Sequence, residues 1–191
     1  MKTGKCLDLL ATLTETASLP ARENTPLYRG AAAVLTMARA YESDGRTFLS
    51  SGDPVNALAS AWYGSGWLHF GIACGLLEMS LPAGCPFISP CEPLPPSVRE
   101  KLEEKTLRYR RLLDTARESV ACGSEPATPV RDFSERVLII AALYSSQGAA
   151  FCRAGSCEDA LACFSYGHGW LDAAVATGLF SVLKNRELFT I

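Results

Sequence analysis

Apolar positions along the chain recur at intervals of three and four rather than two, in six blocks that predict six helices. The first block, MKTGKCLDLLATLTETASLP, carries its apolar residues between Asp8, Thr12, Thr14 and Glu15 and reads as an amphipathic helix over about 4–18. Further blocks predict helices over about 26–51, 54–79, 100–121, 130–154 and 157–181. VLIIAALY, residues 137–144, would suit a buried strand by composition. It aligns with the alanine-rich VLTMARAY, residues 34–41, so helix is the better reading. No alternating pattern of useful strand length occurs. The breaks carry turn chemistry. In SSGDPVNAL a helix ends at Gly52 and the next begins with Asp53 as cap and Pro54 in its first turn. AGSCEDAL places Gly155 and Ser156 in the same roles, with Glu158 and Asp159 favouring the helix start.

The six blocks are three blocks written twice. YGSGWL at 63–68 returns as YGHGWL at 166–171, and the register continues without a gap on both sides. Tyr41 meets Tyr144, Phe48 meets Phe151, Gly52 meets Gly155, Ala57-Leu58-Ala59 meets Ala160-Leu161-Ala162, and Gly75-Leu76 meets Gly178-Leu179. About two-fifths of positions 39–77 are identical to their partners, a self-similarity that composition does not produce. Three parts follow: a first three-helix repeat over 1–80, a proline-rich extended linker over 81–99, and a second repeat over 100–191. The expected fold is all-α, with two three-helix bundle units packed about a pseudo-twofold axis as one six-helix body.

The third block of each copy carries glycines that weaken a helix by about 1 kcal/mol each relative to alanine. Ala57, Ala61, Gly64, Leu68, Gly71 and Gly75 form a small-residue stripe, beside a face of Tyr63, Trp67 and Phe70. A close helix crossing flanked by aromatic rings would offset that cost. Backbone bared to a ligand, with the rings stacked on it, is the functional alternative. The polar residues near this face are His69, His168 and Asp172. Residues 168 and 172 lie one turn apart and can pair as a histidine–carboxylate bond. The candidate ligand-binding set is therefore Tyr63, Trp67, His69, Tyr166, His168, Trp170 and Asp172.

The strings GDPVNALASAWYGSGWLHFGIACGLL and GSCEDALACFSYGHGWLDAAVATGLF resemble the archaeal domain-of-unknown-function family numbered 357. Its pattern runs Gly-Asp, Asn-Ala-Leu-Ala, Tyr-x-x-Gly-Trp-Leu-Asp and a closing Gly-Leu. The resemblance implies a small three-helix bundle without assigned activity, duplicated in tandem, in an archaeal cytoplasm. Asp172 matches the aspartate after Trp-Leu, whereas the first copy has His69 there, so the two halves are not equivalent.

The remaining composition narrows function by exclusion. A net charge of -2 and a pI near 5.7 give no footprint for nucleic acid or an anionic membrane. Lys105, Arg108, Arg110 and Arg111 read as a solvated helix face. No unbroken apolar run is long enough to span a bilayer, and no export signal is apparent, so the cytoplasm is expected. The eight cysteines form no C-x-x-C pair and read mainly as free thiols, with Cys85 and Cys91 near enough in sequence to pair. No nucleophile elbow, phosphate loop or metal-ligand spacing is present, so no cofactor and no metal are expected. The leading reading is a non-enzymatic binding or scaffolding module, monomeric, with an unknown protein or small molecule as partner. The alternative is a small-molecule or nucleotide-binding protein, with or without catalysis, using the Tyr/Trp/Gly face between repeats.

Overall fold

The computed structural model describes residues 1–79, 90–123 and 127–190. Six helices carry the fold: α1 (Thr3–Thr16), α2 (Pro26–Ser50), α3 (Pro54–Ala73), α4 (Arg99–Arg117), α5 (Pro129–Arg153) and α6 (Cys157–Ala176). The all-α expectation holds, with α5 and α6 displaced from α2 and α3 by the same 103 positions that relate the two Tyr-Gly-x-Gly-Trp-Leu strings. Each of α2 and α5 opens on proline, capped by Thr25 or Thr128, whose hydroxyl accepts from the backbone N–H three residues on. The residue before each cap has positive φ at equivalent places, Asn24 (65°) and Ala127 (60°).

The turns repeat as faithfully. Gly52 and Gly155 take φ of 80° and 77°, and Asp53 N–H and Ser156 N–H return to Phe48 and Phe151 carbonyls at 2.8 and 3.0 Å. Asp53 caps α3 as expected, accepting from Asn56 N–H at 3.2 Å, and its other oxygen accepts from Asn56 Nδ2 at 2.6 Å. Ser156 occupies the cap position without a side-chain bond. Glu158 and Asp159 turn instead to the linker, accepting from Leu94 N–H at 2.8 Å and Cys91 N–H at 2.7 Å.

The third helices stop earlier than their apolar patterns suggest. Gly75 and Gly178, with φ of 75° and 79°, end α3 and α6, so Gly75 is a cap rather than a member of the packing stripe. Two short extended pieces follow that no alternating pattern announced. Ser18 and Glu78 exchange backbone bonds of 2.8 and 3.0 Å. At the equivalent place β1 (Val120–Cys122) pairs antiparallel with β2 (Phe180–Val182), with Ala121 opposite Ser181. In each copy this tie fastens the end of the first helix to the end of the third, which is why α4 stops at Arg117 rather than near 121.

The core runs along α3 and α6. Residues 57–68 and 160–175 are buried without interruption, so both helices are covered on all sides and lie at the centre. α1 and α2 cover α3, α4 and α5 cover α6, and α3 packs on α6 as extensively as α2 packs on α3. Packing compensates between copies. The space left by Gly45 takes Leu7 from α1, whereas the space left by Gly148 takes Phe164 from α6. The cysteines are free thiols at the seven described positions, Cys91 included, while Cys85 lies outside the described residues. No helix among them is long and apolar enough to cross a membrane.

Candidate functional site at the seam between the repeats

The two glycines of each Tyr-Gly-x-Gly-Trp-Leu string have separate tasks. Gly64 faces its own repeat: a Cβ there would meet Leu10 Cδ2 and Tyr41 Cβ at 2.9 Å and Ala38 O at 3.2 Å. Gly167 faces the equivalent trio of Leu113, Tyr144 and the Ala141 carbonyl. Gly66 faces the other repeat, where a Cβ would lie 2.5 Å from Tyr166 O and 3.1 Å from Gly169 Cα. Gly169 mirrors it, closing still more tightly on the Tyr63 carbonyl and 3.2 Å from Gly66 Cα. The pseudo-twofold axis therefore passes between Gly66 and Gly169, where backbone touches backbone. The close crossing expected from the sequence is present. It is made by Gly66 and Gly169 rather than by the stripe containing Gly64 and Gly71, which packs within the repeat.

Around that point the aromatic residues interlock. Trp67 is 1% exposed and Trp170 5%. Trp170 stands edge-on to Phe70 at 5.9 Å, and Tyr41 and Tyr144 stack tilted on Tyr63 and Tyr166 at 4.5 and 4.4 Å. The indole N–H groups of Trp67 and Trp170 are buried without hydrogen-bond partners among the described residues. An unmet donor of this kind costs about 1–3 kcal/mol, so ring packing outweighs polar satisfaction here.

The polar residues form two cross-seam pairs related by the pseudo-twofold. Tyr63 reaches from α3 to Asp172 on α6, its hydroxyl donating to Oδ2 at 2.9 Å. Tyr166 reaches from α6 to the equivalent position on α3, where its hydroxyl lies 2.7 Å from His69 Nδ1. A phenol both donates and accepts, so one geometry serves a carboxylate on one side and an imidazole on the other. Burial pushes His69 down to about 4. Burial, then the nearby Asp172 charge, pushes the Tyr63 phenol well above its ordinary range, and burial raises Tyr41 to about 12.

The Asp172 side carries more. After β2 the chain turns through Asn185, at φ 53°, into a short 3-10 turn (Arg186–Leu188) and lays Phe189 and Thr190 on the seam. Thr190 donates its N–H to Asp172 Oδ1 at 2.7 Å and its hydroxyl to Oδ2 at 2.6 Å. His168 lies 3.1 Å from the Leu188 carbonyl through Nε2. A carbonyl only accepts, so Nε2 carries the proton. Nδ1 is then left buried with no partner among the described residues. Phe189 is buried edge-on to the His168 ring at 6.3 Å. Burial lowers the His168 pKa against the opposing pull of Asp172. The direct His168–Asp172 bond expected from their spacing is absent among the described hydrogen bonds; His168 turns to Leu188, and Asp172 to Tyr63 and Thr190, so the segment Arg186–Thr190 lies as a strap over this side of the seam.

The seven sequence-predicted residues thus lie on the two central helices, α3 and α6, six of them buried and His69 partly so. Leu188, Phe189 and Thr190 escaped sequence reading because they lie beyond the repeated blocks. The cross-seam pairing of Tyr63 with 172 and Tyr166 with 69 had a signal, since a twofold through the two strings implies it. No group of three or more His, Cys, Asp or Glu residues suits a metal among the described residues. Two grooves among the described residues lie away from these side chains. An apolar groove of about 530 Å³ sits where α2 and α5 begin and α3 and α6 end, lined by Leu27, Phe70, Leu76, Val130, Phe133 and Leu179. A second, of about 330 Å³, lies between the linker and the start of α6.

A family model described as a protein of unknown function, DUF357, matches residues 6–77 and again 108–180. No curated protein and no solved structure matches the chain.

Proposed function

Since the chain belongs to the DUF357 family and carries that domain twice in tandem, we propose that it acts as a non-enzymatic binding or scaffolding module. One observation supports this reading above others: the chemistry-bearing side chains of the repeated strings bond to one another or to the strap, and the aromatic rings beside them are buried. Catalysis needs such groups to face a cleft wide enough for substrate. Tyr63, His69, Tyr166, His168 and Asp172 line neither of the two grooves described above. A duplicated domain also supplies within one chain the twofold contact that identical subunits otherwise supply between chains, so the module is a monomer. The seven free thiols among the described residues support a cytoplasmic setting.

Native mass spectrometry of the purified protein tests the reading. A single-chain mass and a complex with a partner protein are expected. A stoichiometric small molecule retained by the chain would overturn it. The apolar groove beside Phe70 and Phe133 favours one second reading, an apolar small-molecule carrier, because its volume falls in the range such ligands occupy.

A further inference from the structure

The segment Arg186–Thr190 is held the way a protein holds a peptide. Two of its contacts run through its own backbone, the Leu188 carbonyl to His168 and the Thr190 N–H to Asp172. A third uses the Thr190 hydroxyl, and a fourth is the Phe189 ring lodged against His168. Side chains of the folded body recognise main chain, one aromatic ring and one hydroxyl, a division of labour typical of peptide recognition.

Three further observations separate the segment from the body beneath it. The residues that hold it, His168 and Asp172, and Tyr63 bonded behind Asp172, lie inside the segments matched by the family model, whereas 186–190 lies outside them. Its approach faces solvent: Leu183, Lys184, Arg186 and Glu187 are exposed, and Phe189 is the one buried residue between 183 and 190. The anchors before it, Leu183 N–H to the Ser119 carbonyl at 2.8 Å and Asn185 Nδ2 to Ser119 Oγ at 3.0 Å, hold the hinge and not the strap. The fit is also incomplete, since His168 Nδ1 stays buried under the strap with no partner among the described residues.

We infer that the seam surface formed by His168 and Asp172, with Tyr63 behind the carboxylate, is a docking site for a hydrophobic–aromatic–hydroxyl peptide of a partner protein, which the chain's own Leu188-Phe189-Thr190 occupies as a displaceable stand-in. This deepens the binding-module reading and rests on it. A partner peptide with a donor beside the imidazole would bond His168 Nδ1, which has no partner among the described residues of the strap. The strap sets a threshold, because a ligand that must displace it binds more weakly by the fraction of time the site is open.

The test uses the full chain and a fluorescein-labelled peptide of sequence Arg-Glu-Leu-Phe-Thr, followed by anisotropy. A strap-weakened variant, Phe189→Ala with Thr190→Val, is expected to bind at least about tenfold more tightly than the unaltered chain. Adding Asp172→Asn to that variant should abolish binding, and a scrambled peptide should not bind. A variant that melts cooperatively yet shows no binding at millimolar peptide overturns the inference. Should the variant not fold, amide exchange on the unaltered chain decides. The Phe189 and Thr190 amides are expected to exchange at least about a hundredfold faster than those of Leu171 and Ala173. Equal protection would make the strap a fixed part of the fold and end the proposal. A dimer formed by strap exchange would name a second copy as occupant and overturn the partner-peptide assignment. A co-purifying partner that binds equally well with the strap weakened would sink this inference while leaving the module reading standing.

Discussion

The two ends of the seam pose the same geometric problem and solve it with different chemistry. Tyr63 meets Asp172, and Tyr166 meets His69, through hydroxyl groups placed by one pseudo-twofold axis. On the Asp172 side the bond is charge-assisted and the carboxylate takes two further donors from Thr190. On the His69 side the tyrosine faces an imidazole that burial keeps neutral. After duplication, one shared backbone frame has let a single position diverge between aspartate and histidine, because a phenol satisfies either. The divergence gives one side a use that the other lacks: a carboxylate can fasten a passing backbone N–H, and a neutral histidine that already faces a phenol cannot do so as strongly.

The largest expected effect breaks the frame that both sides share. Gly66→Ala drives a methyl group into the Tyr166 carbonyl, and neither backbone can turn aside as a side chain would. A loss of more than about 3 kcal/mol is expected from denaturant unfolding, despite alanine's better helix propensity. Gly52→Ala is the control: its φ of 80° is strained for alanine, but open space surrounds it, so about 1 kcal/mol is expected.

Acid titration separates the two sides next. Burial holds His69 near 4 in the folded chain, below its unfolded value near 6.5. Its contribution is therefore complete above pH 6.5 and declines as pH falls toward 4, where the unfolded chain has taken up the proton first. The decline amounts to about 3 kcal/mol at pH 4. His168 shifts in the same direction and adds to it. Stability measured against pH should flatten over this window in His69→Gln, and an unchanged slope would deny the burial.

Two tyrosine truncations sharpen the contrast further. Tyr63→Phe removes a donor from a carboxylate and should cost about 2 kcal/mol, whereas Tyr166→Phe removes a neutral bond and should cost about 1 kcal/mol. Equal losses by thermal or denaturant melting would mean that the two pairs do not differ in charge.

Much of this was legible from repetition. The register between Tyr63-Gly64 and Tyr166-Gly167 predicted six helices, a seam between the third helices and buried tryptophans, because packing against a copy of oneself leaves its mark twice. What stayed hidden was hidden for physical reasons. Helical periodicity assigned the crossing to the stripe with Gly64, since spacing shows which residues share a face and not which neighbour that face meets. Gly75 looked like a stripe member because a glycine in a helix and a glycine at its left-handed end are written identically. Glu158 and Asp159 looked like helix-start residues, and they are, but the donors they bind come from the linker at Cys91 and Leu94. Thr190 left no signal at all, being a single residue outside the repeat that meets Asp172 only through the fold.

The central claim is the backbone contact between Gly66 and Gly169, and nuclear Overhauser spectroscopy on a glycine-labelled sample tests it most directly. A strong intramolecular cross-peak between the Gly66 and Gly169 α-protons is the predicted result. Its absence from a folded monomer, or its appearance only between separate molecules in an isotope-filtered experiment, would contradict the account.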